Sequence, residues 1–134
     1  MIALDTNILA RYLLADDEDQ AERATQLIEQ HQCFISVTVG LELAWVLSSQ
    51  KIGKADILFA FNTLLAMEHI TLQFAEAWQQ AIVWATTGMD LADALHAALA
   101  AHCDVFYSFD QKFVTRANRE GIKPSCVLPD ARQS

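Results

Sequence analysis

The chain has 134 residues, a length that suits one domain and leaves little room for two. Apolar residues make up 53% of it, and there are only 4 Gly and 2 Pro, which excludes a disordered or linker-rich chain. No apolar stretch reaches the ~18 residues of a membrane span, and no basic segment precedes the first apolar run. We therefore expect a soluble, cytoplasmic protein with no membrane partner. The net charge of −8 counts against a nucleic-acid binder.

Short apolar runs alternate with segments of helical periodicity. In chain order we predict a strand over 2–4, helices over 7–14 and 15–32, a strand over 33–37, helices over 40–50 and 54–68, a strand over 69–72, helices over 74–87 and 90–102, a strand over 104–109, a helix over 110–121 and a strand over 125–128.

The strands are continuously apolar, which is typical of a parallel sheet covered by helices on both faces. The predicted fold class is therefore α/β, with about five strands. We expect one domain over 1–134, with a core over about 1–129 and a polar tail over 130–134.

Four carboxylates fall where ligands bind in such a sheet, outside the carboxyl ends of the strands. The four are Asp5, Glu42, Asp93 and Asp110. Gathered at one edge they would repel one another, and a divalent cation would relieve that repulsion. Hard oxygen ligands suit Mg²⁺ or Mn²⁺, which can activate water for phosphodiester hydrolysis.

Three of the four acids also have a purely structural explanation. Asp5 and Asp110 suit the N-caps of the helices that follow them, and Asp93 suits a first helical turn. Glu42 differs, because its neighbours in "VGLELAWVL" are mostly apolar and a buried glutamate would need a partner. Asp90, three residues before Asp93, fits an N-cap better than a metal ligand.

"LDTNIL" after the first strand, the glutamate in "LELAWVL", "LADALHAALAAHCD" and "FYSFDQKF" occur in this order. Together they resemble the PIN-domain ribonucleases, and among these the VapC-type toxins of bacterial toxin–antitoxin pairs. The resemblance spans about residues 1–129. Many members have threonine where this chain has Ser108, and the hydroxyl is kept.

The resemblance implies a single PIN domain with Mg²⁺- or Mn²⁺-dependent endoribonuclease activity. Asp5 and Asp93 would bind the principal metal, and Asp110 and Glu42 would complete the cluster. Thr6, Asn7 and Ser108 would orient these acids or hold phosphate.

The resemblance also implies a small cognate antitoxin that binds operator DNA, so that the toxin reaches DNA only through it. A homodimer and a heterotetramer or larger complex are expected. The apolar helices "ILFAFNTLLAM" and "LELAWVLSS" are candidate surfaces for these contacts.

Basic residues are few but unevenly spread. Lys112, Arg116 and Arg119 share one face of a predicted helix, and Arg11 lies about one turn beyond Asp5. We expect these four side chains to hold the RNA backbone. Cations late in a helix also suit its dipole without any ligand, so this alternative stays open.

Other metal chemistry has less support. The four histidines lack zinc-site spacing, and the three cysteines (Cys33, Cys103 and Cys126) lie in or beside apolar runs, which predicts buried reduced thiols.

Rival functions remain. A haloacid-dehalogenase-type phosphatase would need an aspartate at Asn7, and a receiver domain would need paired acids near the first strand. A catalytically inert, acidic Mg²⁺-binding interaction module on the same fold is the main alternative.

Overall fold

Strands and helices alternate through residues 1–129, the part of the chain that this computed structural model describes. The predicted polar tail over 130–134 lies outside the described residues. Within 1–129 there are five strands and seven helices, which are β1 (Ile2–Ala3), α1 (Thr6–Leu14), α2 (Glu18–Glu29), β2 (Cys33–Ile35), α3 (Val37–Ser49), α4 (Lys54–Ala66), β3 (Ile70–Leu72), α5 (Ala75–Thr86), α6 (Leu91–Leu99), β4 (Val105–Tyr107), α7 (Gln111–Glu120) and β5 (Ser125–Val127).

The α/β class and the parallel strands are confirmed. Hydrogen bonding joins β1, β2 and β3 in one parallel ladder and β4 with β5 in another. The chain divides into two compact units, one from Met1 to Ala75 and the other from Glu76 onward. The three-stranded ladder belongs to the first unit and the two-stranded ladder to the second.

In the first unit, β2 is the central strand of its ladder. Ile2 is in register with Cys33, and Cys33 is in register with Ile70. Helix α1 packs against α2 and α3, and α4 packs against β3. The core of this unit includes fully buried Leu9 and Phe61. This packing fixes the end of β1, from which α1 starts.

In the second unit, α7 packs on β5 and reaches β4 through an aromatic pair. The rings of Phe106 and Phe113 have centroids 5.3 Å apart and are tilted by 56°. Ring pairs at such separations attract one another beyond their buried area. The contact holds the start of α7 close to the end of β4, where Asp110 lies.

The continuous apolar sequence of β4 predicts a strand buried on both faces, and this is wrong for two of its residues. Val105 is 40% exposed and Tyr107 is 58% exposed, whereas Phe106 between them is half-buried. Successive strand side chains point to opposite faces, so β4 has one covered face and one open face.

No helix within residues 1–129 is long and apolar enough to cross a membrane. Cys33 and Cys126 are buried free thiols, as predicted. Cys103 is exposed, so the prediction of burial is wrong there: it lies in the turn between α6 and β4, not in either element.

Candidate active site

Asp5 lies at the junction between β1 and α1. It is the N-cap of α1, and its Oδ1 atom accepts a hydrogen bond of 2.8 Å from the backbone N–H of Thr6. The side chain is exposed, so the carboxylate faces solvent while its backbone is fixed by the helix start. Capping and ligand binding are compatible here, because one carboxylate has several acceptor positions.

Thr6 is the one buried polar residue beside this carboxylate, at 5% exposure. Within residues 1–129 its hydroxyl oxygen has no hydrogen-bond partner. A buried polar group without a partner costs free energy and calls for an explanation at the site where it occurs. A polar ligand or water held beside Asp5 would satisfy this hydroxyl.

Asp5 and Glu42 line one cavity of about 260 Å³ in the first unit. Thr6 and Asn7 from the start of α1 line the same cavity. The structure therefore brings together the two predicted acids of this unit and the two predicted polar residues beside them.

The expectation that Glu42 is buried is wrong, since its side chain is exposed. Helix α3 buries Gly40, Leu43 and Leu47, which follow one another at helical spacing. Glu42 and Trp45 lie on the opposite face, and Trp45 is 70% exposed. Glu42 thus projects from an apolar helix into the cavity without the cost of burying a charge.

Arg11 and Asp16 form an ion pair on the wall of the same cavity. The Nη1 atom of Arg11 lies 2.7 Å from Oδ1 and 2.8 Å from Oδ2 of Asp16. The hydrogen bond from Arg11 lowers the pKa of the Asp16 carboxyl. Arg11, predicted to hold RNA, is therefore engaged by a carboxylate in this structure.

Asp16 was not predicted to be a site residue. It falls within the helix predicted over 15–32, but α2 begins at Glu18 with Asp17 as its N-cap. Ala15 adopts a left-handed conformation with φ 51° and ends α1. Asp16 therefore lies in the connection, free to turn back toward Arg11.

The second unit holds Asp90, Asp93 and Asp110. Asp90 is the N-cap of α6 and its carboxylate accepts a hydrogen bond of 3.1 Å from the backbone N–H of Asp93, so the predicted capping role is confirmed. Burial raises the pKa of Asp93, and the nearby charges of Asp90 and Asp110 raise it further, while His96 acts in the opposite direction. These carboxylates are close enough to repel one another.

Asp110 follows β4 and is the N-cap of α7. Its Oδ1 atom accepts a hydrogen bond of 3.1 Å from the backbone N–H of Phe113. The hydroxyl of Ser108 accepts a hydrogen bond of 3.0 Å from the backbone N–H of Asp110. Ser108 thus orients the backbone that carries Asp110, the supporting role that the resemblance implies for it.

The cations of α7 have different surroundings. Lys112 and Arg119 are exposed, and within residues 1–129 neither forms an ion pair. Arg116 is also exposed, but its Nη1 atom donates a hydrogen bond to the carbonyl of Gly88.

The donor set suits a hard cation in its chemistry, since carboxylates at helix starts are oxygen ligands of the type that Mg²⁺ and Mn²⁺ prefer. In the second unit a cation would offset the like charges that help to raise the pKa of Asp93, and in the first unit a polar ligand would satisfy the Thr6 hydroxyl. Among the described residues, however, no group of three or more His, Cys, Asp or Glu side chains is close enough to hold a metal ion. The structure brings the predicted acids together in pairs: Asp5 with Glu42, and Asp93 with Asp110.

Acids at the helix starts after β1 and β4 lie outside the carboxyl ends of parallel strands, which is where ligands bind in α/β proteins of this class. The chain belongs to the PIN domain family, whose sequence model matches residues 2–118. PIN domains are generally metal-dependent nucleases and are often components of toxin–antitoxin pairs. None of the curated proteins or solved structures compared with the chain matches it.

Proposed function

We propose that this chain is a metal-dependent endoribonuclease and the VapC-type toxin component of a toxin–antitoxin pair. One observation supports the proposal: within a chain of the PIN domain family, each unit brings together two of the predicted acids. Asp5 and Glu42 line one cavity, and Asp110 lies close enough to Asp93 to raise its pKa.

Mg²⁺ or Mn²⁺ is the proposed cofactor. The proposed ligands, directly or through water, are the four predicted acids Asp5, Glu42, Asp93 and Asp110. When bound, such an ion supplies activated water and stabilises the charge that develops on the phosphodiester.

The chain's own residues would position the substrate. The start of α1 carries backbone N–H groups and the Asn7 amide on the wall of the Asp5 cavity, and helix N-termini favour phosphate. Thr6 would complete its hydrogen bonding with substrate or water. Ser108 would keep Asp110 oriented through the backbone bond described above.

We propose that three cations hold the RNA backbone. Lys112 and Arg119 are exposed on α7, and Arg11 lies on the wall of the Asp5 cavity. Their charges would offset the unfavourable net charge of −8 locally. Arg11 would have to exchange Asp16 for a phosphate oxygen, and guanidinium groups bind both anions in the same way.

The proposed protein partners are a cognate antitoxin and a second copy of this chain, in a heterotetramer or larger assembly. Support comes from exposed aromatic side chains on α3 and α4: Trp45 is 70% exposed and Phe59 is 72% exposed. Phe59 also lines a largely apolar groove of about 340 Å³ with Leu13, Leu14, Leu47 and Ile52. Exposed apolar surfaces of this kind mark interaction sites.

Incubation of mixed cellular RNA with antitoxin-free protein tests the proposal. We expect discrete cuts in Mg²⁺ or Mn²⁺, none with a chelator, and none with folded Asp5→Asn protein. Uncut RNA in both metals would contradict the proposal and favour the alternative, an inert Mg²⁺-binding interaction module.

A further inference from the structure

Arg116 contacts the turn that leads into the acidic helix of its own unit. Its Nη1 atom donates a hydrogen bond to the Gly88 carbonyl, 28 residues earlier in the chain. Gly88 lies two residues before Asp90, the cap of α6. The bond therefore ties the middle of α7 to the connection between α5 and α6.

The backbone at Gly88 is shaped for this contact. Gly88 has φ +133°, a conformation that residues with a side chain rarely adopt. The position a Cβ atom would occupy lies 3.7 Å from Arg116 Nη1. The next residue, Met89, is 1% exposed, so the turn is anchored on its inner side as well.

A second bond joins the same two elements one turn of α7 farther along. The hydroxyl of Thr87 donates a hydrogen bond of 2.5 Å to Oε2 of Glu120. Arg116 and Glu120 are four residues apart and so lie on the same face of α7. Two side chains of one helix thus hold two consecutive residues of the turn.

Both ends of this connection carry site acids. Helix α7 begins after Asp110, and the turn leads through Asp90 to Asp93. Asp90 and Asp110 are the N-caps of α6 and α7, so the positions of the acids at these two helix starts depend on where the helices begin. A link between α7 and the turn opposes their separation.

We propose that Arg116 is a positioning residue, which holds Asp93 and Asp110 at a fixed spacing through the Gly88 carbonyl and does not bind the RNA backbone. This inference rests on the proposed function, since the spacing matters for cation binding. It separates Arg116 from Arg119, which has the same charge and lies on the same helix but makes no such contact.

The test is Mn²⁺ affinity without RNA, measured from the electron paramagnetic resonance signal of free Mn²⁺. Arg116→Met removes the donor and keeps most of the side-chain volume, and Arg119→Met is the matched control. We expect Arg116→Met to raise the Kd for Mn²⁺ on the order of tenfold, the usual scale for residues that orient metal ligands. Arg119→Met should leave it within about twofold of wild type, and Arg116→Lys should restore most of the affinity because an ammonium can reach a carbonyl.

In the salt dependence of RNA binding, the Arg119 variant should show the larger change and the Arg116 variant the smaller. With a mixed-sequence single-stranded RNA in chelator, Arg119→Met should reduce the slope of log K against log salt by about 0.7, the share of one phosphate contact. Arg116→Met should leave the slope unchanged. Equal Mn²⁺ affinities for the two variants, or an equal loss of slope, would overturn the inference.

Two further outcomes are decisive. If Arg116→Met fails to fold, Thr87→Val takes its place, because it removes the hydrogen bond from Thr87 to Glu120. Thr87→Val should also weaken Mn²⁺ binding, and an unchanged Mn²⁺ affinity would overturn the inference. Wild-type protein that binds no Mn²⁺ would instead overturn the proposed function, which distinguishes the two failures.

Discussion

Asp16 holds the guanidinium of Arg11 with both carboxylate oxygens, at 2.7 and 2.8 Å, on the wall of the cavity that Asp5 and Glu42 line. A carboxylate at this place competes with a phosphate for the same nitrogen. The hydrogen bond from Arg11 lowers the pKa of Asp16, and a carboxyl is ionised at neutral pH in any case, so both partners of the pair are charged. We therefore expect this ion pair to oppose the RNA binding that is proposed for Arg11.

Asp16→Asn should therefore strengthen RNA binding. Removal of the competing charge frees Arg11, and we expect the Kd for single-stranded RNA in chelator to fall roughly twofold to fivefold, the scale of an exposed ion pair. Fluorescence anisotropy measures the change.

Asp17→Asn is the control, because it makes the same charge change at the adjacent residue and keeps an N-cap of similar strength on α2. The interpretation fails if both variants strengthen binding equally, since the gain would then reflect net charge alone. Arg11→Ala combined with Asp16→Asn should abolish the gain.

Asp110 has a structural and a proposed chemical role, which two substitutions separate. Asparagine caps a helix as well as aspartate, so Asp110→Asn should keep the hydrogen bond from Phe113 and change the free energy of unfolding little. Asp110→Ala should lose about 1 kcal/mol of stability. Both should lose RNA cleavage, by roughly 100-fold or more. Full activity in folded Asp110→Asn protein would show that Asp110 serves only as a cap.

The exposed and the buried thiols should differ in reactivity, and the buried thiols should lower the stability of the protein at alkaline pH. Exposed Cys103 should react with iodoacetamide in the folded protein, whereas buried Cys33 and Cys126 should react only after unfolding. Mass spectrometry measures the number of alkylated thiols in each state. Burial raises the pKa of both buried thiols above the usual 9.0. Above pH 9.0 the unfolded chain loses these protons first, so ionisation favours unfolding and stability falls as the pH rises.

Chemical denaturation checks this sign. The stability advantage of wild type over Cys33→Ala should narrow from pH 8 to pH 10.5. An advantage that widened at high pH would contradict the assigned burial effect.

The groove beside Phe59 should take part in neutralisation by the antitoxin. Phe59→Glu places a charge on the groove and should weaken the complex by about 10- to 100-fold, the scale of losing one buried aromatic contact. Val83→Glu, at a 60% exposed apolar position of the second unit, is the control. Titration of RNA cleavage with purified antitoxin measures both, and equal inhibition of both variants would exclude the groove.

The order of elements could be predicted from the sequence because apolar runs and helical periodicity report local structure directly. Asp5, Asp90 and Asp110 are predicted helix starts, and each caps a helix in the structure. The exposed face of α3 could not be predicted, because the helix has apolar residues on all sides and its sequence therefore does not show which side is buried.

The pairing of Arg11 with Asp16 depends on a left-handed residue at Ala15, which the sequence gives little reason to expect, since such conformations favour glycine or asparagine. The contact between Arg116 and Gly88 spans 28 residues, and no local pattern encodes it. The candidate acids could be found through their motifs, whereas the contacts of Arg11 and Arg116 could be found only in the tertiary structure.

Single-turnover RNA cleavage by Asp93→Asn protein in Mg²⁺ tests most directly whether the predicted carboxylates carry out metal-dependent cleavage. Asp104→Asn is the matched control, an exposed acid of the same unit to which we assign no role in the site. We predict that Asp93→Asn loses roughly 100-fold or more of the wild-type rate while Asp104→Asn keeps it. Equal cleavage by folded Asp93→Asn protein, or cleavage that persists in chelator, would contradict the account.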